Sequence, residues 1–186
     1  MQTKSYLFTS DRLGFRNWMP EDLPGMAAIN ANPDVMEYFP TIQDSTQTKE
    51  FIDRMQQQLA EKGYCYFAVD KLVDGAFIGF VGLSWQTYTA DFTPCVDIGW
   101  RLKKEEWNQG FATEGAKRCL TYAFNDLGLE TIYAVAPKVN VKSEHIMQTI
   151  GMQKVTEFQH PLLENDVRLR ECVLYVATKK QNFLRE

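Results

Sequence analysis

The sequence predicts a mixed α/β domain in which helices pack against a mostly antiparallel sheet. Three observations lead to this fold class. Seven short apolar runs bounded by turn residues have the length of strands, two of these runs form a hairpin, and four stretches have the period or the capping residues of helices. A length of 186 residues with 45% hydrophobic content is enough for one domain with its own core, so residues 1–186 are interpreted as a single domain.

The first third of the chain combines one strand with two helices. Residues 13–18 form the strand, and Pro20-Glu21-Asp22 begins a helix, because proline fits the first turn and acidic residues favour the helix dipole. A second helix is predicted over residues 46–63. Its inner side is formed by Phe51, Ile52, Met55 and Leu59. Tyr38 and Phe39 lie in the connection between the two helices.

A hairpin and a final strand pair complete the predicted sheet around its centre. Residues 64–71 and 76–86 form the hairpin, across a turn that ends at Gly75. Residues 131–136 form a short apolar strand, and residues 154–158 and 168–178 are predicted to close the sheet as an antiparallel pair.

The segment 96–127 combines a strand, a short polar turn and a long amphipathic helix. The strand covers residues 96–102, and Glu114 stands four residues before Arg118, which supports the helix. Gly128 is a natural helix stop. One apolar stripe runs along the helix through Ala112, Ala116, Cys119, Leu120, Ala123, Phe124 and Leu127. Free backbone N–H groups at the helix start carry partial positive charge, so this turn is predicted to bind phosphate oxygens.

Two common phosphate-binding motifs do not fit this turn. A P-loop needs Lys followed by Ser or Thr after its second glycine, but Gly115 is followed by Ala116 and Lys117. A dinucleotide fingerprint needs three glycines and an acidic residue at the end of the next strand, and Ala112 replaces one of those glycines. The antiparallel hairpin that precedes the turn also disfavours a Rossmann-like nucleotide-binding protein.

Composition excludes several other classes. The net charge of −4 and the pI near 5.3 argue against a nucleic-acid partner, which usually requires a basic patch. No apolar run approaches 18 residues and the N-terminus has no signal-peptide core, so we expect a soluble, cytoplasmic protein without a membrane partner. The four cysteines are scattered and only two histidines are present, so we expect reduced thiols and no metal site.

The segment around this turn resembles the acetyl-CoA pyrophosphate loop of the GNAT N-acetyltransferase superfamily, which has the pattern Gln/Arg-x-x-Gly-x-Gly/Ala. Gly110 and Ala112 match its last two positions, whereas Trp107 stands where Gln or Arg is usual. The longer string from Ile98 to Glu114 looks like the branch that contains ribosomal-protein alanine and serine acetyltransferases. Asn140 followed by Ser143 resembles the second motif of the superfamily, Asn-x-x-Ser, although an ordinary N-capped helix explains it as well. The resemblance covers roughly residues 10–178.

This resemblance implies a fold and a cofactor site. The fold would be a six- to seven-stranded, mostly antiparallel sheet with splayed central parallel strands and four flanking helices. Acetyl-CoA would lie between strands 96–102 and 131–136, and a backbone N–H after a bulge in the first of them would polarise the thioester carbonyl. Backbone groups of Trp100, Arg101 and Leu102 would pair with the pantetheine arm. The remaining cofactor-binding residues would be Asn108, Gln109, Gly110, Phe111, Ala112, Thr113, Asn140 and Ser143.

Two residues are candidates for proton transfer. Asp97 lies on the cofactor strand where family members often carry a Glu, and its shorter side chain favours a base that acts through water; the alternative is a structural partner of Arg101. Ser143 stands where related enzymes place a hydroxyl near the thioester sulfur; the alternative is local hydrogen bonding. Many superfamily members place a Tyr a few residues further on, but Met147 and Ile150 occupy that stretch here.

The implied activity is acetyl-CoA-dependent transfer of an acetyl group to a primary amine, on a small molecule or a protein N-terminus, without a metal. The alternative from another class is a CoA-binding sensor or interaction module of the same fold that has lost turnover. Assembly as a homodimer is a further expectation. The residues of the acceptor cleft match the family least specifically, so the sequence leaves the acceptor open.

Overall fold

A single mixed sheet forms the centre of the protein in the computed structural model, which describes residues 5–182. Eight strands are found in this range: β1 Phe8–Thr9, β2 Leu13–Arg16, β3 Tyr66–Lys71, β4 Phe77–Gln86, β5 Cys95–Leu102, β6 Thr131–Pro137, β7 Gln153–Gln159 and β8 Glu171–Thr178. Their order across the sheet is β1-β2-β3-β4-β5-β6-β8-β7, and all neighbours are antiparallel except β5 and β6. The predicted fold class is confirmed. The strand count exceeds the expected six to seven because the two-residue strand β1 extends the sheet edge.

Four substantial helices flank the sheet, as predicted, and a single turn follows β8. They are α1 Asp22–Ala31, α2 Ser45–Lys62, α3 Phe111–Thr121, α4 Val141–Thr149 and the terminal turn α5 Lys179–Asn182. Helix α2 begins with a capping box, in which Asp44 accepts from the Gln47 N–H and the Gln47 side chain accepts from the Asp44 N–H. Helix α3 ends earlier than its apolar stripe suggested, because residues 122–126 continue as a π-helical turn before Gly128.

Helices α2 and α3 lie on opposite faces of the sheet. Phe80 of β4 packs against Phe51 of α2, with ring centroids 5.3 Å apart. The next residue, Val81, lies beneath α3, where a Cβ on Gly115 would come within 3.2 Å of its side chain. Successive strand residues point to opposite faces, so these contacts place one helix on each side. Gly115 therefore allows α3 to approach β4 closely.

The two parallel strands in the middle of the sheet separate after a single paired position. The register of β5 and β6 consists of Asp97 opposite Tyr133, whereas β4 and β5 pair without interruption from Gly79–Leu102 to Gln86–Cys95. Beyond Asp97, the edge of β5 that faces β6 has no neighbouring strand. This divergence, implied by the family resemblance, is confirmed, and it opens a cleft in the sheet.

A buried ion cluster ties the start of the chain to the sheet. Arg16 donates to Asp22 at 2.6 and 2.8 Å and to Asp70 at 2.7 and 2.8 Å, and the three side chains are at most 4% exposed. Burial alone would lower the pKa of Arg16, but the hydrogen bonds and charges of the two carboxylates raise it. Asp22 also accepts from the Met19 N–H at 2.8 Å, so the cluster fixes the entry into α1.

Replacing Arg16 by leucine is expected to lower the free energy of unfolding by about 3–5 kcal/mol, because two buried carboxylates lose their cation. Urea denaturation measures this loss. Lys49→Leu is the matched control, since Lys49 pairs with Asp53 on the surface and exposed pairs contribute about 1 kcal/mol or less. Equal small losses in both variants would contradict the assignment of Arg16 as the anchor of this region.

Candidate active site

The cleft between β5 and β6 opens into a cavity of ≈ 940 Å³. Its walls come from the splayed strands, the α1–α2 connection, the turn before α3 and the first turns of α4. The predicted site residues that line it are Asp97, Trp100, Arg101, Leu102, Asn108, Gly110, Phe111, Ala112, Thr113, Asn140 and Ser143. Gln109 does not line the cavity, because its side-chain amide donates to the Glu105 carbonyl at 3.0 Å and to Glu106 at 3.2 Å. The structure thus brings together residues from two separate sequence motifs.

The turn before α3 has the backbone shape of an anion-binding loop. Gly110 is the N-cap residue with a φ of 81°, and Asn108 has a φ of 59°, both in the left-handed region. The first N–H groups of α3 have no partner inside the helix, and the residues that carry them, Phe111, Ala112 and Thr113, line the cavity. Glycine at position 110 adopts this positive φ without strain.

Arg12 supports this loop from the neighbouring strand edge, a contact that sequence analysis missed. Its Nε donates to Glu114 at 2.6 Å, one terminal nitrogen donates to the Gln109 carbonyl at 3.0 Å, and the guanidinium lies 4.4 Å from the centre of the Phe111 ring. Glu114 therefore pairs with Arg12, while Arg118 donates instead to the Thr9 carbonyl at 2.8 Å. The helix support expected from Glu114 and Arg118 is replaced by two contacts with the N-terminal strands.

The free edge of β5 presents backbone groups to the cleft at alternating residues. The Lys103 N–H donates to the Ile78 carbonyl at 2.9 Å, which fixes the phase of the β4–β5 ladder. In that phase the backbone of Arg101 faces β4, whereas those of Trp100 and Leu102 face the cleft. The Trp107 indole donates to the Leu102 carbonyl at 3.1 Å. The backbone of Trp100 is therefore the most accessible for the pairing predicted with a pantetheine arm. The expected bulge in this strand is absent, because β4 and β5 pair in an uninterrupted register.

Asp97 lies at the point where the two parallel strands separate, and Tyr66 holds its carboxylate. The Tyr66 hydroxyl donates to Asp97 Oδ1 at 2.7 Å, and Gln86 Nε2 donates to the same hydroxyl at 3.4 Å. Burial raises the pKa of Asp97 to about 6, although the hydrogen bonds from Tyr66 and Gln86 act in the opposite direction and lower it. A carboxylate with this pKa can accept a proton near neutral pH.

Two glycines make the contact between Tyr66 and Asp97 possible. In the sheet register Tyr66 lies opposite Gly82, and Gly82 lies opposite Gly99. A Cβ on Gly99 would lie 3.0 Å from the Tyr66 ring, so the phenol crosses two strands over backbone without side chains. Sequence analysis placed Tyr66 in a strand but gave it no function. The glycines at these positions of neighbouring strands are the sequence signal that could have indicated the contact between Tyr66 and Asp97.

The start of α4 lies across the cavity from the loop before α3. The Asn140 side chain accepts from the Ser143 N–H at 3.1 Å, which confirms the predicted N-cap. Ser143 lines the cavity, and so does Met147 one turn further on, although Met147 is otherwise buried. Tyr175 does not replace the tyrosine that many superfamily members carry here, because its hydroxyl donates to Glu144 at 2.8 Å outside the cavity.

His160 lies at the far side of the cavity beside Tyr88, with ring centroids 4.4 Å apart. Its Nδ1 accepts from the Leu162 N–H at 3.2 Å, which leaves Nε2 as the protonated nitrogen of the neutral ring. Burial lowers the pKa of His160, so the ring is neutral at pH 7.

Within residues 5–182, no group of three or more His, Cys, Asp or Glu side chains is placed to hold a metal ion, and the four cysteines are buried and unpaired. No helix in this range is long and apolar enough to cross a membrane.

A splayed parallel pair beside an anion-binding helix start defines the class of acyl-CoA-dependent acyltransferases that the resemblance implied. The family model for the acetyltransferase (GNAT) domain matches residues 12–153. The chain belongs to this GNAT acetyltransferase family. The family membership predicted from the loop motif is therefore confirmed, and acetyl-CoA is the acetyl donor that this family uses.

The chain is also similar to individual relatives and solved structures. The chain is 31% identical to YkkB, an uncharacterized protein of Bacillus subtilis (strain 168), over 156 residues that cover 82% of this chain and 87% of the relative. Two solved structures share the fold at lower identity. A spermidine N-acetyltransferase from Vibrio cholerae, in complex with CoA and spermine, has a TM-score of 0.74 at 20% identity, covering 92% of this chain and 98% of that one. The ribosomal-protein-S5-alanine acetyltransferase from Vibrio fischeri has a TM-score of 0.74 at 17% identity, covering 92% and 96%.

Proposed function

We propose that the protein is an N-acetyltransferase that moves the acetyl group of acetyl-CoA to a primary amine. One observation carries this proposal: Asp97, a carboxylate whose pKa is raised by burial, lies at the fork of the splayed strands and lines the same cavity as a loop shaped to bind phosphate. An amine must lose a proton before it can act as a nucleophile. A base at the fork can remove that proton near neutral pH.

The cavity fits acetyl-CoA in three respects. Its volume suits an extended ligand, its free β5 edge offers backbone groups at Trp100, and the loop at Gly110 offers N–H groups to a pyrophosphate. Acetyl-CoA supplies the activated acetyl group as a thioester. Arg12 shapes the phosphate loop from behind through the Gln109 carbonyl. The cofactor residues predicted from the sequence are retained in this proposal except Arg101, whose backbone faces β4, and Gln109 would act through its backbone.

Three groups of the chain would act on the reacting atoms. Asp97 would take the amine proton, through a water because the aspartate side chain is short. A backbone N–H on the cleft side of β5 would stabilise negative charge on the acetyl oxygen. Ser143, held by its Asn140 cap, would donate a proton towards the departing sulfur. Its hydroxyl forms no hydrogen bond with the residues that the structure describes, so this role would disrupt none.

The test is release of free thiol from acetyl-CoA with a panel of primary amines, combined with mass spectrometry of the products. The panel should include polyamines, amino acids and peptides with free N-termini. A product heavier by one acetyl group supports the proposal. Ser143→Ala should then lower kcat more than it lowers acetyl-CoA affinity. This loss in kcat should be smaller than the loss caused by substitution of Asp97, because an isolated serine is a weak acid.

The alternative is a CoA-binding module without turnover, and Met147 in place of a family tyrosine favours it. Binding of acetyl-CoA without thiol release from any amine in the panel would support this alternative and contradict the proposed activity. Assembly as a homodimer also stays a prediction, which light scattering of the full chain would test.

The hydrogen bond from Tyr66 gives a way to test the role of Asp97. Tyr66→Phe removes a donor that lowers the pKa of Asp97, so the acidic limb of the pH–activity profile should move above its wild-type position near pH 6. Tyr122→Phe is the matched control, because the Tyr122 hydroxyl donates to the Gly63 carbonyl outside the cavity. An unchanged acidic limb in a folded Tyr66→Phe variant would contradict proton transfer by Asp97.

A further inference from the structure

Arg101 is a cation inside the cavity that no carboxylate of the described residues neutralises. It lies on the same face of β5 as Asp97 and lines the cavity wall beneath the α1–α2 connection. One terminal nitrogen donates to Asn30 Oδ1 at 2.6 Å, which is a neutral acceptor. Its guanidinium lies 4.1 Å from the centre of the Phe39 ring and 5.4 Å from that of Phe80. These contacts fix the position of the guanidinium without cancelling its charge.

Arg16 and Arg101 differ in whether a carboxylate neutralises the guanidinium. Arg16 binds two carboxylates, and their hydrogen bonds raise its pKa. Arg101 forms no ion pair within residues 5–182, and its buried Nε has no acceptor. Burial lowers the pKa of Arg101 to about 10, which is the effect of desolvation without a counter-charge. A buried cation of this kind is costly to the protein unless a ligand brings the missing anion.

We propose that Arg101 binds a carboxylate of the acceptor, so that the acceptor is a primary amine that also carries a carboxylate. This inference rests on the proposed acetyl transfer and names the substrate class for it. Arginine suits this task because its planar fork matches the two oxygens of a carboxylate. The loop at Gly110 is a separate anion site at the start of α3, whereas Arg101 points to the face covered by α1 and α2.

The spacing of Arg101 and Asp97 indicates how the two groups of the acceptor are arranged. Four residues along a strand separate their Cα atoms by about 13 Å. Between them the Tyr66 and Phe80 rings stack with centroids 4.9 Å apart and form an apolar floor. The acceptor therefore has its carboxylate several bonds from its amine, with an apolar segment that crosses these rings.

The first experiment compares acids with their amides on the wild-type protein. A series of ω-amino acids, such as 6-aminohexanoate, is tested against the matching amides, together with α-amino acids, peptides and spermidine. The long spacer keeps the amine pKa similar within each pair. We expect kcat/KM for the best acid to exceed that for its amide by about 30-fold or more, since loss of a buried charged hydrogen-bond partner has an effect of this size. A preference for amides or spermidine over every acid would overturn the inference and leave the acetyltransferase proposal intact.

The second experiment locates this preference at Arg101. Arg101→Gln should lower kcat/KM for the acid by about 30-fold or more and bring it close to the value for the amide. Lys103→Gln is the matched control, since Lys103 lies two residues further along the chain but does not line the cavity. An equal loss with acids and amides, accompanied by weaker acetyl-CoA binding, would show that Arg101 serves the cofactor and would overturn the inference.

A binding measurement keeps the inference testable without turnover. With CoA bound, carboxylate-bearing amines should raise the thermal midpoint of the wild-type protein more than their amides do, and Arg101→Gln should remove this difference. A wild-type protein that shows no such difference with any acid of the series would overturn the carboxylate site. If the difference is present but no thiol is released, the site stands as a binding site and the proposed transfer fails.

Discussion

Gly110→Glu is expected to abolish the stabilisation of the protein by acetyl-CoA. A ligand at 100 times its Kd adds about 2.7 kcal/mol to the free energy of unfolding, which is a readily measured thermal shift. Position 110 has a φ of 81° at the N-cap of α3, so a side chain there strains the loop, and its Cβ would lie 3.4 Å from a terminal nitrogen of Arg12, which supports the loop through the Gln109 carbonyl. The added carboxylate also brings negative charge to the loop that would bind the phosphates. The shift should therefore disappear even though the variant remains folded.

Gly128→Glu provides the matched control for this variant. Gly128 also has a positive φ, of 68°, and a Cβ there would meet no atom within 4 Å. Both variants should lose some stability from backbone strain, but only Gly110→Glu should lose the response to acetyl-CoA. A full thermal shift in folded Gly110→Glu would show that the pyrophosphate does not bind at this loop.

The parts of the fold that the sequence predicts well depend on interactions between near neighbours. The N-cap of α4 is such a case, since Asn140 and Ser143 are three residues apart. The end of α2 at Gly63 is another, because glycine reaches the left-handed region without strain. Even here one local signal passed unused: Asp44 and Gln47 form a capping box that begins α2 one residue before the predicted start.

The chemistry of the site depends on contacts that a pattern of neighbours does not contain. Tyr66 and Asp97 are 31 residues apart, and they meet because the β3–β4–β5 register aligns two glycines between them. Arg101 and Asn30 are 71 residues apart and meet through the packing of α1 on the sheet. Strand register and helix placement are set by the whole core, so these pairs become visible only in the folded structure.

Trp107 illustrates how a departure from a family pattern acquires a physical role. The motif expects Gln or Arg at this position, and the sequence alone offers no account of the tryptophan. In the structure its indole donates to the Leu102 carbonyl, and Lys142 of α4 lies 5.2 Å from the centre of its ring. Trp107 therefore closes the end of β5 and connects it to α4 across the mouth of the cleft.

Asp97→Asn is expected to lower kcat by about 10²–10⁴-fold while acetyl-CoA affinity is retained, because general base catalysis typically contributes this much. Asparagine has nearly the same shape and can still accept the Tyr66 hydrogen bond, so the fold of the site should be kept. Thermal shift with acetyl-CoA serves as the control for binding. A folded variant with wild-type kcat would show that another group removes the amine proton.

The pH profile makes this prediction specific to proton transfer. In the wild-type enzyme both the amine and Asp97 must be deprotonated, so log(kcat/KM) should rise with a slope of about 2 below pH 6. Above the Asp97 pKa of about 6, only the amine remains to be deprotonated, and the slope should fall to about 1 up to an amine pKa near 10.4 for an alkylamine. Asp97→Asn should lose the break near pH 6 and keep a slope of about 1 throughout, so that its residual activity recovers in part at high pH. If Asp97 had a purely structural role, Asp97→Asn would lower the whole profile but keep the break near pH 6. That outcome would exclude Asp97 as the base.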